Sequence, residues 1–547
     1  MKDASQAPCA ETIAAVQKAR LSLFDTTLRD GQQTHGVHFT AGEKHEIAHL
    51  LDRLGFDYVE GGWPGANGTD SAFFEAPPKL ARATFTAFGM TKRAGRSAAN
   101  DETLAAVVNA GTPAICLVGK AHPFHVTHAL GTTLAENRAA IADSVAHCAG
   151  LGRETLFDAE HFFDGYADDP AYATDCLAAA LDAGARWAVL CDTNGGTMPE
   201  RIGEVVEQLI AAGLPGERLG IHTHDDTGQA VAGSLAAVRA GARQIQGTLN
   251  GLGERCGNAN LTTLVPTLLL KADYAGFETG IDRDALPGLM AASRRLDDIL
   301  DRTPRREAPY VGASAFAHKA GLHASAILKD PATYEHVPPE AVGNARIIPM
   351  SKQAGRANLR RRLQEMGLEA TDAQLGGILA EVKEREDRGY EYDRAQASFE
   401  LIALRHLGLL RDRFEVDRYR VTVERRRDRK GEMTTLSEAV VSVIVDGERR
   451  TSVSESRDPE GADMGPVNAL AKALVRDLGS LQDRIAAMEL TDFRVRITGA
   501  GTDAVTRVVI DHADGDLRWS TVGAGPNIVD ASFEALLDAI RWKLWRS

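Results

Sequence analysis

Short apolar runs recur along the first half of the chain at residues 21–27, 58–62, 84–89, 114–119, 154–160, 187–193, 219–224 and 244–250. Each run is strand-length and each gap is long enough for a helix and two loops. The first gap is the clearest. Thr40 and Glu43 stand at capping-box spacing. Ile47, Leu50, Leu51 and Leu54 then mark one helical face, and Gly55 follows where a C-terminal cap belongs. Repeated strand–helix units imply a parallel sheet, because parallel neighbours need crossover helices. Eight such units predict a closed (β/α)₈ TIM barrel. Their count and even spacing favour it over an open doubly wound sheet.

The pattern then changes. Residues 1–20 read as a short helix or extension before the first strand, so the barrel spans residues 1–275. Residues 276–412 show charged helical stretches at 294–306 and 373–388 with no strand period, and read as helical linker subdomains. Within them, 315–326 is rich in His and small residues. From 413 to 547 alternation at period two returns around Tyr419, Val441, Phe493 and Trp519, accompanied by two helices. This predicts a separate α+β domain with one packed and one solvated sheet face. The basic run 425–430 before Gly431 reads as a solvated hairpin tip.

Charge and composition narrow the partners. A net charge of −14 argues against nucleic acid, which calls for a basic face. It leaves room for a small anionic substrate held by a few local cations. Residues 1–10 lack the apolar core of a signal peptide, and no apolar run approaches the ~18 residues of a membrane span. The 6 cysteines are dispersed without a CxxC pair. That spacing suits reduced thiols in a cytoplasm, several of them as small core residues.

In a (β/α)₈ barrel the reactive groups stand at the C-terminal ends of the strands. Polar residues collect there: Arg29, Asp30 and Gln33 after the first run; Glu60 after the second; Asp158, Glu160 and His161 after the fifth; Asp192, Thr193 and Asn194 after the sixth; His222, His224, Asp225 and Asp226 after the seventh; and 250–258 after the eighth. His222 and His224 are two apart on a strand, so both imidazoles face one side. With the Asp30 carboxylate they make a ligand set for a divalent metal. Nitrogen and oxygen donors together leave Zn, Co, Mn and Mg all open. Arg29 beside a metal suggests a polarised carbonyl with a guanidinium stabilising charge on oxygen. Glu160, His318 and His323 are candidates for proton transfer. The glycines at 251, 253 and 257 do not follow the first strand of a βαβ unit, so they read as tight-turn residues around the site and not as a nucleotide cradle.

These residues carry a family resemblance. Asp25-Thr26-Thr27-Leu28-Arg29-Asp30-Gly31-Gln32-Gln33 resembles the opening signature of the 2-isopropylmalate, homocitrate and citramalate synthases. His222-Thr223-His224-Asp225-Asp226 and 250–258 (NGLGERCGN) are similar to their second and third signatures. Residues 60–67, 158–165 and 329–336 resemble the long citramalate synthase branch of that family. Gly68 departs from a proline expected there, and Ala324-Ser325 departs from the residues other branches carry after the histidine. Residues 460–470 and 501–507 resemble the family's regulatory domain.

The resemblance implies a Claisen-type condensation of acetyl-CoA with a 2-oxo acid, followed by thioester hydrolysis. Pyruvate would give citramalate on a route to isoleucine. The resemblance also implies site roles: Asp30, His222, His224 and Asn258 for the metal; Arg29 for the 2-oxo acid and its developing alkoxide; Gln33, Glu160 and Thr193 around the substrate; His323 for acetyl-CoA activation, with Tyr334 beside it. A homodimer and isoleucine as feedback effector are implied in the same way. Three alternatives stand beside this reading. A different 2-oxo acid would make the chain a 2-isopropylmalate or homocitrate synthase. Cys256 in the glycine loop keeps a lyase of the 3-hydroxy-3-methylglutaryl-CoA type in view. An inactive barrel serving as an amino-acid sensor is the third, and the intact Arg29, Asp30, His222 and His224 argue against it.

Overall fold

The computed structural model describes residues 18–318, 321–348, 355–427, 431, 433–457, 465–498, 504–515 and 517–547. They form two compact units. The first runs through Phe316 and takes in Val337–Ala345; the second comprises Ala317–His336 and Arg346–Ser547. Residues 1–17 of the expected N-terminal helix or extension, and residues 460–464 and 501–503 of the regulatory motifs, lie outside the described residues.

The first unit is a closed barrel of eight parallel strands: β1 (Ser22–Asp25), β2 (Tyr58–Glu60), β3 (Thr84–Met90), β4 (Ala114–Lys120), β5 (Glu154–Glu160), β6 (Trp187–Asp192), β7 (Leu219–Thr223) and β8 (Gln244–Gly247). The circle closes where Ser22 stands opposite Gln244. All eight apolar runs are strands. Three of them end two or more residues early: β1 stops at Asp25, β2 stops at Glu60, and β8 stops at Gly247 because Leu249–Gly251 turns as a 3₁₀ segment with Asn250 at φ 59°.

Inside the barrel Phe24, Tyr58, Leu156, Trp187 and Val189 pack with Cys116 and Cys191. Tyr58 accepts a 3.2 Å bond from Trp187 Nε1 and donates to Glu154, so the polar ends of these rings are met within the core. Strand parity places Asp158 and Glu160 on the same side as Leu156. The apolar residues therefore form a floor, with the polar residues at the C-terminal rim above it. Helix α1 (Ala41–Leu54) carries the reciprocal Thr40–Glu43 capping box and ends on Gly55 at φ 103°. A side chain at Gly55 would meet the Gly280 carbonyl at 2.5 Å.

Two expectations for residues 276–412 need correction. A short strand does occur there: Phe277–Glu278 pairs in parallel with Ala19–Arg20. The helix expected at 294–306 spans Gly288–Ile299 instead. Its buried stripe of Leu289, Met290, Ala292 and Leu296 begins before the charged residues, and Asp301 turns the chain at φ 49°. This helix braces the rim: Asn250 Nδ2 donates to Ser293 O at 2.9 Å and to Asp297 at 3.2 Å. The second charged stretch forms a helix over Asp372–Asp387, as expected.

In the second unit, strands β9 (Phe414–Arg427), β10 (Met433–Val445) and β11 (Glu448–Arg457) make one antiparallel sheet. Strands β12 (Glu489–Thr498), β13 (Val505–Asp514) and β14 (Leu517–Gly525) make another. Helices Pro466–Val475 and Ile528–Arg546 bury Leu470, Leu474, Phe533, Leu536 and Ile540 against them. The α+β expectation holds. The described part of the basic run, 425–427, ends strand β9 with Arg427 opposite Met433, and residues 428–430 lie outside the described set. Among the described residues no helix is long and apolar enough to cross a membrane.

Candidate active site

The strand ends converge on one cavity of about 290 Å³, into which Arg29, Asp30, Gln33, Glu160, Thr193, His222 and His224 all project. Its apolar wall is Trp63, Phe88, Met90 and Val118. Asn258 is buried behind His222, 1% exposed, with Nδ2 at 3.0 Å from His222 Nε2. His323 and Tyr334 belong to the second unit, where their rings stack at 4.1 Å. His318 is there too, 3.4 Å from Glu335.

Arg29 is held on three sides. Its Nε donates to Glu60 at 2.7 Å, its Nη1 pairs with Asp30, and its guanidinium carbon lies 3.9 Å over the Phe88 ring. Burial works against the Arg29 charge, but Asp30, Glu60 and Asp158 outweigh it and hold the guanidinium ionised. Burial also pushes Glu60 up to about 8, with Asp30 and Asp158 adding to the push against Arg29. Burial would raise Asp30 as well, yet Arg29, His222 and His224 keep it below the usual carboxylate range. Asp158 is raised by burial. The buried group therefore carries three carboxyls around one guanidinium, an arrangement that favours an added cation.

The histidines are set by their neighbours. His222 Nδ1 lies 2.7 Å from Gln246 Oε1, and Gln246 Nε2 donates to Asp158 Oδ1 at 2.9 Å. The carboxylate takes the amide N–H, which turns the amide oxygen toward the ring. Nδ1 must then carry the proton, and Nε2 presents a bare lone pair. That Nε2 stands 3.4 Å from His224 Nε2 and 3.6 Å from Asp30 Oδ2. Burial and His222 push His224 down to about 3, so its imidazole is neutral near pH 7.

These donors fit a divalent ion. Asp30 Oδ2 and Asn258 Oδ1 are buried without hydrogen-bond partners among the described residues. Two nitrogens bound at roughly 2.1 Å to one ion stand about 3.0–3.4 Å apart, which is the spacing of the two Nε2 atoms. Among the described residues no three His, Cys, Asp or Glu side chains form a closed ligand set; Asp30 Oδ1 is engaged by Arg29, and the fourth candidate donor is an amide. Rotation of the Asn258 amide exchanges its donor for its acceptor.

The glycine loop folds over Asn258 as expected of tight-turn residues. A Cβ at Gly253 would lie 1.9 Å from Asn258 Oδ1, and one at Gly257, at φ 98°, 2.0 Å from Gly251 O. Arg255 sits at φ 56° in the same loop, clamped by Asp226 at 2.8 and 3.0 Å and by Thr193 O at 2.7 Å. Thr193 Oγ1 accepts the His161 N–H at 2.8 Å, and Glu160 is ion-paired with Lys120.

Sequence reasoning passed over Gln246, Lys120 and Phe88, and gave Glu60 and Asp158 no role. Gln246 had a readable signal: Gln244 and Gln246 are amides two apart on a strand otherwise expected to be apolar. Lys120 and Phe88 had none, since a lysine or a phenylalanine at a strand end is commonplace.

Barrel, rim chemistry and second unit together define an HMGL-like barrel enzyme joined to a LeuA-type domain. The HMGL-like family model matches residues 20–291, the homocitrate synthase post-HMGL domain-like model 310–390, and the LeuA allosteric (dimerisation) domain model 393–544. The chain is 43% identical to the (R)-citramalate synthase of Aquifex aeolicus, over 96% of this chain and 98% of that one. It is also 43% identical to the (R)-citramalate synthase of Synechocystis, over 97% of both. Identity to the 2-isopropylmalate synthase of Solidesulfovibrio magneticus is 31%, over 95% of this chain and 96% of that one. The chain belongs to the (R)-citramalate synthase family.

Proposed function

We propose that this protein is an acyltransferase that condenses acetyl-CoA with pyruvate, releasing (R)-citramalate and CoA on a route to isoleucine. The observation that carries the proposal is the 43% identity to (R)-citramalate synthases along nearly the whole of both chains, against 31% for a 2-isopropylmalate synthase. The cavity supports the smaller substrate. Trp63 and Phe88, edge to face at 5.6 Å, stand beside Arg29 where the alkyl group of a 2-oxo acid would lie. Rejecting an isopropyl group in favour of a methyl is worth about 1–3 kcal/mol per added carbon.

Asp30, His222, His224 and Asn258 are the residues we assign to a divalent metal, which when bound would supply Lewis acidity toward the keto oxygen. Arg29 has Nε and Nη1 committed to Glu60 and Asp30, and we assign its Nη2 donors to an oxygen of the 2-oxo acid. Gln33 and Thr193 line the same cavity and are assigned to the substrate. A base takes a methyl proton from acetyl-CoA, and the enolate carbon bonds to the keto carbon. The carbonyl electron pair moves to oxygen, where Arg29 stabilises it until the alkoxide takes up a proton, matching the one removed from acetyl-CoA. Water then adds to the thioester, the C–S bond breaks, and CoA leaves as thiolate with the proton passing to solvent. Glu160, ion-paired with Lys120 at the rim, and His323 are the groups assigned to proton transfer; for His323 and its neighbour Tyr334 the support is the resemblance of their segment.

The LeuA allosteric (dimerisation) domain match at 393–544 supports a homodimer and an effector, for which isoleucine, as end product, is our choice. Four free cysteines are buried and only Cys256 is exposed among those described, a thiol pattern that supports the cytoplasm. The experiment is CoA release from acetyl-CoA with a panel of 2-oxo acids and divalent metals, the product identified by NMR. Pyruvate should give the highest kcat/KM. A preference for 2-oxoisovalerate or 2-oxoglutarate would overturn the substrate assignment, and cleavage of 3-hydroxy-3-methylglutaryl-CoA would overturn the reaction.

A further inference from the structure

Lys44, on α1, is 0% exposed and has no part in the chemistry above. A buried ammonium is tolerated only where its protons are met. Its three donors find three acceptors: Leu28 O at 2.8 Å, Gly61 O at 3.0 Å, and the Asp70 carboxylate. The positions of those acceptors are informative. Leu28 precedes Arg29. Gly61 follows Glu60, the carboxylate that takes Arg29 Nε.

Asp70 uses its other oxygen on the backbone N–H of Trp63 at 3.0 Å and on Asn67 Nδ2 at 3.1 Å. The backbone lies flat on this carboxylate. Gly62 is at φ 135°, and a Cβ there would sit 2.7 Å from the Asp70 carboxyl carbon. Trp63 is in turn the wall between two cavities. One is the reaction cavity. The other, of about 320 Å³, lies against Pro64, Ala66, Glu102, Thr103 and Ala106.

We propose that Lys44, together with Asp70, is a positioning residue that ties the Arg29 turn to the Glu60–Trp63 turn and so sets both the aim of the guanidinium and the place of the Trp63 wall. A leucine or methionine would fill the same space. It would leave two carbonyls and one Asp70 carboxylate oxygen unmet and the two turns free to separate. The inference rests on the reading of Arg29 and Trp63 as substrate-facing, but its structural half, the coupling of Lys44 to Trp63, can be measured without turnover.

The test uses the full chain with Lys44→Met combined with Asp70→Asn, which removes the ammonium and its counter-charge while keeping an acceptor for the Trp63 N–H. Folding is checked by circular dichroism and melting. The five tryptophans are labelled as 5-fluorotryptophan, and the Trp63 resonance is assigned with Trp63→Phe. We expect the Trp63 ¹⁹F signal to shift or broaden while the other four stay in place. We expect kcat/KM for pyruvate to fall about tenfold or more, mainly through kcat, and the preference for pyruvate over 2-oxobutanoate to narrow. Asn67→Ala, at the outer end of the network, should act in the same direction more weakly, and it decides alone if the double variant does not fold. An unmoved Trp63 signal with unchanged substrate preference in a folded variant would overturn the proposal, whatever happens to the melting temperature. If the wild type does not use pyruvate, the functional reading fails while the ¹⁹F result still judges the coupling.

Discussion

Gln246 offers the sharpest test of the metal assignment because it touches no substrate. It is 0% exposed, with its oxygen 2.7 Å from His222 Nδ1 and its nitrogen 2.9 Å from Asp158 Oδ1. Replacing it with leucine keeps the volume and removes both bonds. Two costs follow. The His222 ring loses the acceptor that fixes its proton on Nδ1, so the tautomer with a protonated Nε2, useless as a ligand, becomes populated. Asp158, already raised by burial, loses the amide N–H that opposes the rise, and its protonation removes negative charge from beside the site. Loss of a group that orients a ligating histidine typically costs 10–100-fold in metal affinity, about 1.4–2.8 kcal/mol. The assay is calorimetric titration of Mn²⁺ or Zn²⁺ into metal-stripped wild type and Gln246→Leu, with melting curves to establish that both are folded. A weakening within that range, recovered at saturating metal as turnover, is the expected result. Equal affinities in two folded proteins would refute the role given to His222 Nε2, and with it the ligand set.

The barrel was legible in the sequence because each of its strands is an apolar run bounded by turn residues and separated by helix-length gaps. In the second unit legibility was uneven for physical reasons. Strand β11 carries Glu448, Arg449, Arg450, Ser452, Ser454 and Glu455, with little apolar alternation to detect. Strand β13 buries Val508, Val509 and Ile510 in succession because both its faces are covered, so period two vanishes in the very strand at the centre of its sheet. The site divided along similar lines. Arg29, Asp30, His222 and His224 are polar residues at strand ends, where barrel topology says chemistry collects. What the sequence could not express is who holds them: Gln246 behind His222, Glu60 behind Arg29, and Lys44 beneath both turns are contacts between residues 16 to 31 positions apart. Spacing along the chain carries no trace of those partnerships.

Four further outcomes follow from the same geometry. Asp30→Ala should abolish metal-dependent turnover and metal binding, whereas Arg29→Ala should lower kcat about 10²–10³-fold with metal affinity largely intact; near-normal turnover in either would refute the assignment. Phe88→Leu should lower the ratio of kcat/KM for pyruvate over 2-oxoisovalerate about tenfold, since it opens the wall beside Arg29; an unchanged ratio would remove Phe88 from the specificity wall. The last outcome concerns the second unit. His512 is 1% exposed, neither ring nitrogen has a hydrogen-bond partner among the described residues, and the ring stacks on Trp519 at 5.6 Å. Burial lowers it to about 4, against about 6.5 in an unfolded chain. Between those values the unfolded chain binds the proton and the folded one does not, so stability is full above pH 6.5 and falls as the pH drops toward 4. At pH 5 the loss is about 2 kcal/mol, approaching roughly 3 kcal/mol below pH 4. Urea unfolding followed by tryptophan fluorescence at pH 7.5 and 5, in wild type and His512→Phe, isolates this contribution as the difference between the two pH dependences. His512→Phe should lose about 2 kcal/mol less than wild type over that interval. Parallel losses would mean the ring is already hydrated or partnered in solution.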